Sequence, residues 1–146
     1  MHRAAIHLTC VGLALLALAP AFAEEGARPA NEPLLAYVTV AGAPGDGEQA
    51  LASAMTSRLQ AIGMKLATAF QANVYEIQGT VRIQAASRGK QSVRIFWVVL
   101  DPNGKQLGVI SQTKEVRKGS LDRKWGKAAE AAAGAAINQI EALLPR

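Results

Sequence analysis

Two glycines open the only segment that resembles a phosphate cradle. Gly42 and Gly47 have phosphate-loop spacing, but Glu48-Gln49 stand where a lysine and a hydroxyl residue would be needed. The counter-charge is missing, and the glutamate repels an anion. Gly45-Asp46-Gly47-Glu48-Gln49-Ala50 also fits G-x-G-x-x-A between a strand and a helix. A dinucleotide site further requires a second parallel βαβ unit and an acidic residue about 20 positions on. Hairpin strands follow instead, so a capped turn explains these glycines.

Other reactive groups are sparse. Both histidines, His2 and His7, and the single cysteine, Cys10, fall in an amino-terminal leader. Once that leader is removed, thiolate chemistry, disulfides and thiolate metal sites are excluded. No serine then has a histidine partner for a nucleophilic triad. Carboxylates are scattered, apart from the loop acids Asp46 and Glu48. The expectation is therefore no catalytic residue, no cofactor-binding residue, no metal ligand and no cofactor. A hydrolase is the weakest of the functional readings.

The leader has the three parts of a secretory signal. Arg3 supplies the positive start, Leu8 to Ala19 is almost wholly apolar, and Ala21-Phe22-Ala23 offers small residues at the cleavage positions. Residues 1–23 are read as a signal peptide cut near Ala23, giving a periplasmic or secreted protein. A membrane span needs about 20 apolar residues, and Pro20, Glu24 and Glu25 stop this stretch short. His7-Leu8-Thr9 before Cys10 is not a lipobox.

Cleavage removes Arg3 and lowers the formal charge from +5 to +4. That charge is unevenly placed. Between Lys105 and Lys127, the bases Lys105, Lys114, Arg117, Lys118, Arg123, Lys124 and Lys127 face only Glu115 and Asp122. Lys114, Arg117, Lys118, Arg123, Lys124 and Lys127 are the candidate anion-binding residues, with a solvated basic face as the competing reading. Nucleic acid is not the expected partner, given the compartment and the few aromatics.

Residues 24–33, with Pro29 and Pro33, read as a disordered lead, and residues 34–146 as one domain. Leu34 to Val40 suits a buried strand. The following helix runs from about Gly47 to Ile62, with Asp46 and Gln49 as a capping box and Gly63 as its left-handed end. Its apolar face is Leu51, Met55, Leu59 and Ile62. Met64 to Phe70 contains a short extended piece. In Val74 to Ala85, Tyr75, Ile77, Val81 and Ile83 alternate with polar residues, a half-buried strand. Ser87 to Lys90 turns the chain into Ser92 to Leu100. There Val93, Ile95, Trp97 and Val99 point one way, and Arg94, Phe96, Val98 and Leu100 the other. Asp101-Pro102-Asn103-Gly104 turns again, into a strand over 106–116. A last helix opens at Gly119-Ser120, capped by Ser120 or Asp122. It places Arg123 and Lys124 in its first turn, where the macrodipole opposes cations by ~0.3–1 kcal/mol each. Alanines at 128, 129, 132 and 136 allow it close to the sheet. Trp97 and Trp125 are expected to meet, strand against helix.

The order β-α-β-β-β-α implies an α+β fold, a four-stranded, mostly antiparallel sheet with both helices on one face. A central strand apolar on both sides leaves Phe96, Val98 and Leu100 facing a protein partner, the lead segment or a second copy of the chain.

Several phrases carry a resemblance. Val40-Ala41-Gly42-Ala43-Pro44-Gly45-Asp46-Gly47, Gly79-Thr80-Val81, Asp101-Pro102-Asn103-Gly104-Lys105-Gln106-Leu107-Gly108, and Gly119-Ser120-Leu121-Asp122 with Trp125-Gly126 resemble a family of small uncharacterised bacterial exported proteins and lipoproteins. The resemblance covers most of the mature chain and implies export without implying an activity. The element order is also loosely similar to accessory domains of envelope assembly machines, including lipopolysaccharide-assembly lipoproteins and the periplasmic part of the curli secretion channel. The combined expectation is a non-enzymatic periplasmic binding or adaptor module, with an envelope protein on the outer sheet face and anionic lipid or a polyanion at the basic region. The alternative is a carrier or sensor of a small amphiphile that uses the same outer face.

Overall fold

Alternation of apolar and polar side chains produces the sheet, and the side left polar decides where the helices can pack. In the computed structural model, which describes residues 32–146, the order is β1 (Leu35–Ala41), α1 (Gly47–Ala61), β2 (Lys65–Leu66), β3 (Tyr75–Ala85), β4 (Lys90–Leu100), β5 (Gln106–Arg117) and α2 (Gly126–Leu143). The proposed signal, the lead up to residue 31, both histidines and Cys10 lie outside the described residues.

The class is α+β, as the pattern implies, but the sheet has five strands, in the order β2-β1-β3-β4-β5. The extra strand is the short extended piece after Gly63. Its Lys65 N–H donates to Leu34 O at 2.8 Å and its Ala67 N–H to Ala36 O at 2.8 Å. The sheet is therefore mixed. β1 is parallel to both β2 and β3, whereas β3–β4 and β4–β5 are antiparallel. A helical crossover brings β3 back in the direction of β1, while the two hairpins must reverse the chain. Arg88 and Gly89 turn the first hairpin with φ of 59° and 69°, the positive-φ pair that matches strand twist.

One buried cluster fills the space between helices and sheet. Leu51, Met55 and Leu59 from α1 meet Ala36, Ile77, Val81, Val93, Ile95, Trp97 and Val99 from the strands, with Ala129, Ala133, Ala136 and Ile140 from α2. Trp97 lies across Gly79, its register partner on β3. A methyl group at Gly79 would stand 2.7 Å from Trp97 Cζ3. Both tryptophans are buried. A methyl group at Gly47 would collide with the Trp125 indole, as one at Gly79 would with Trp97, so each indole is bedded on a glycine.

Candidate functional site

α2 starts at Gly126, not at Ser120 or Asp122. Residues 118–125 form an irregular turn, and the reason is a tie to the loop before α1. Asp46 N–H donates to Arg123 O at 2.9 Å. The Asp46 carboxylate accepts the Trp125 N–H at 2.8 Å. The Trp125 indole N–H reaches Pro44 O at 2.9 Å and Leu121 O at 3.1 Å. Helical geometry over 120–125 would remove Trp125 from that seat. Asp46 thus makes no side-chain cap for α1, and the expected capping box with Gln49 is absent. Glu48, the other loop acid, accepts the Gly42 N–H at 2.8 Å. Both loop carboxylates hold backbone.

This tie places the basic residues. Arg123 and Lys124 lie before α2 rather than in its first turn, and Lys127 occupies the first turn. Lys118 N–H donates to Gly89 O at 2.9 Å, fixing the turn to the first hairpin. Lys114 and Arg117 end up on opposite faces of β5. Lys114 pairs in register with the core residue Val93, and Arg117 with Lys90. All six candidate residues are exposed. Among the described residues the ion pairs are Arg58–Glu130 at 3.8 Å and Lys90–Glu115 at 3.5 Å, so none of the six is neutralised. With Lys114 and Arg117 on opposite strand faces, the six do not share one face of the sheet.

Among the described residues, no helix lies on the outer sheet face. Phe96, Val98 and Leu100 are half-buried there by their neighbours in the sheet. Phe96 stands between Thr80 and Ser111, and Val98 between Gln78 and Val109. The Arg82 guanidinium lies 5.9 Å from the Phe96 ring centroid. Val109 is 49% exposed. At the far side of the sheet, Phe70 is 67% exposed and meets Tyr37 edge-on at 6.4 Å.

A feature missed by the sequence reading lies on the other face. Between β5 and α2 there is an apolar cavity of about 330 Å³. Val93, Ile95, Val116, Leu121 and Trp125 supply its apolar walls, and Ala128, Ala131, Ala132 and Ala135 its helical side. Gln112 bridges it, donating to Ala132 O at 3.0 Å and accepting from Trp97 Nε1 at 3.4 Å. α2 therefore carries two alanine stripes. Ala129, Ala133 and Ala136 enter the core, and the other four leave space. The available signal was Lys114, which shares its strand face with Gln112 and Val116.

Among the described residues no group of three or more His, Cys, Asp or Glu side chains is gathered. No helix among them is long and apolar enough to cross a membrane.

No family model matches the chain, and no curated protein is similar to it. Solved structures do resemble it. A minor lipoprotein from Acinetobacter baumannii has a TM-score of 0.47 and 12% identity, covering 75% of this chain and 91% of that one. Lipoprotein GNA1162 from Neisseria meningitidis has a TM-score of 0.49 and 14% identity over 75% of this chain and 99% of that one. An uncharacterised protein gives a TM-score of 0.40 and 12% identity, over 73% and 86%.

Proposed function

We propose that this chain is a non-enzymatic binding module of the bacterial cell envelope, exported by its leader. A protein partner is held on the outer sheet face, and anionic envelope material at the bases from Lys114 to Lys127. The observation that carries the reading is the face itself, left uncovered by the described residues. Both helices pack on one side, leaving Phe96, Val98, Leu100 and Val109 as an apolar centre. Thr80, Gln78 and Ser111 give it a polar surround. Aromatic and arginine anchors inside a polar rim are the usual composition of a protein interface, and Phe96 under Arg82 has it.

The test is paired. Phe96→Asp is expected to keep its circular dichroism spectrum and lose an envelope protein that co-purifies with the wild type. Retention of the same protein would reject the outer face as the interface. For the basic residues, the assay is sedimentation with phosphatidylglycerol vesicles. Each base near an anionic surface contributes about 1 kcal/mol. Reversal of Arg117, Lys118 and Lys124 together should lower binding roughly a hundredfold or more, and added salt should weaken the wild type. Binding that ignores both changes would reject the anionic half.

A further inference from the structure

The cavity on the helix side of the sheet plays no part in binding at the outer face. β5 is an edge strand, and α2 lies against it in the opposite direction. Leu143, at the end of the helix, packs on Gly108 near the start of β5, and Ala132 meets Gln112 further along. The N-terminus of α2 therefore lies beside Val116 and Lys114. Beyond the Gln112 bridge, methyl groups of alanine face Val93, Ile95 and Val116 and do not fill the gap. The helical wall from Ala128 to Ala135 is roughly 10 Å long, and the strand from Gln112 to Val116 roughly 14 Å. A cavity of about 330 Å³ sits at the small end of ligand pockets. The space is a short slot, lined for hydrocarbon.

Its Val116 end is electropositive for two reasons. Lys114 is itself a lining residue and has no ion pair among the described residues. α2 has no side-chain N-cap and no acidic residue in its first turn, so its positive pole is not offset, and Lys124 and Lys127 add to it. Gln91 stands directly across from Val116 on the same face, diagonal to Lys114. It is buried, and its Nε2 has no hydrogen-bond partner among the described residues. Its Oε1 accepts the Gly119 N–H at 3.3 Å, so the amide cannot be turned round without losing that bond. A buried unpaired donor is unfavourable, but Gln91 does not line the cavity, so it neighbours the charged end without forming part of the site.

We infer that the slot binds a single-chain anionic amphiphile. Its carboxylate lies at the Lys114 end, near the start of α2, and its tail runs along Ala128, Ala132 and Ala135 toward Gln112. A free inorganic anion would not need the apolar walls, and a neutral hydrocarbon would not need the cations. A strand added to β5 is disfavoured, because it would cover the inward-facing Lys114, a known device against edge pairing. The inference deepens the anionic half of the proposed function and does not depend on a partner at the outer face.

Decanoate is the probe, titrated into the purified protein and followed by calorimetry and by the fluorescence change of Trp125 in the cavity wall. Saturable one-to-one binding is expected. Decyltrimethylammonium, with the same tail and the opposite head, should bind at least tenfold more weakly, and inorganic phosphate should not compete. Lys114→Glu should weaken decanoate at least tenfold. Ala132→Leu, which fills the slot, should abolish binding; Ala131→Leu, on the exposed rim, serves the same purpose if the first variant does not fold. Vesicle sedimentation should survive both alanine changes, which separates this site from the wider set of bases. No decanoate binding, equal binding of the cationic amphiphile, or wild-type affinity in the folded alanine variants would overturn the inference. So would a dimer, broken by Thr113→Pro, that shows β5 already occupied by a second copy.

Discussion

Replacing Asp46 with alanine should destabilise the protein through a residue 79 positions away. The Asp46 carboxylate accepts the Trp125 N–H at 2.8 Å in a part-buried setting. Hydrogen bonds to an ionised acceptor are stronger than neutral ones, and truncating a partner of this kind costs about 1.5–3 kcal/mol. The side chain caps nothing in α1, so loss of a helix cap does not enter. Gln49→Ala is the control. Under a capping-box arrangement it would also destabilise; in this structure Gln49 is an exposed helix residue, and its loss should stay within ±0.5 kcal/mol. Urea unfolding followed by circular dichroism reads both. A slope of about 1–3 kcal/mol per molar turns the Asp46→Ala penalty into a midpoint drop of about 1 M. The Trp125 amide should also lose protection from hydrogen exchange. An Asp46→Ala protein within 0.5 kcal/mol of wild type, or a Gln49→Ala protein equally damaged, would refute the tie between the two loops.

Three smaller changes probe the core, the slot and the surface. Gly79→Ala places a methyl 2.7 Å from Trp97 Cζ3 and 3.1 Å from Val40 Cγ2. Overpacking of this kind should cost about 1–3 kcal/mol, visible as a lower melting temperature. Gln112→Ala removes bonds to Ala132 O and Trp97 Nε1. It should cost about 1–2 kcal/mol in urea and raise amide exchange in the middle of α2. Arg58→Ala breaks a 3.8 Å pair whose side chains are 46% and 59% exposed. A solvated pair is worth about 0–1 kcal/mol, so its urea midpoint should barely move; a large drop would mean that packing of the Arg58 guanidinium over Gly134 on α2, not its pairing with Glu130, supports the helix.

Patterns of short range were readable in this chain. Alternation over Tyr75 to Ile83 and Val93 to Val99 placed two strands and their buried faces, because in a strand every second side chain must share a side. The Leu51–Met55–Leu59 spacing placed α1, and Gly63, with φ of 89°, ended it. Asp101-Pro102-Asn103-Gly104 formed its turn, with the Asp101 carboxylate accepting the N–H groups of Asn103 and Lys105 at 2.9 and 2.8 Å. Even the apolar outer row on β4 followed from counting by twos. The short strand at Lys65 was less evident, since two residues hold no period and the strand exists through its bonds to β1.

The start of α2 and the use of Asp46 depended on groups far apart in the chain. Locally, Ser120 and Asp122 are good caps and Asp46 is another. Each preference lost to a seat for Trp125 that exists only when the Pro44–Gly47 loop comes alongside. The slot is of the same kind. Alanine at 131 and 135 gives no sign of whether the methyl faces water, core or a gap, and the sheet edge beyond it settles that. Side-chain order along the chain decides which faces are greasy, because that depends on neighbours two to four residues away. The three-dimensional arrangement decides which greasy faces find a mate, because that depends on where distant backbones come to rest.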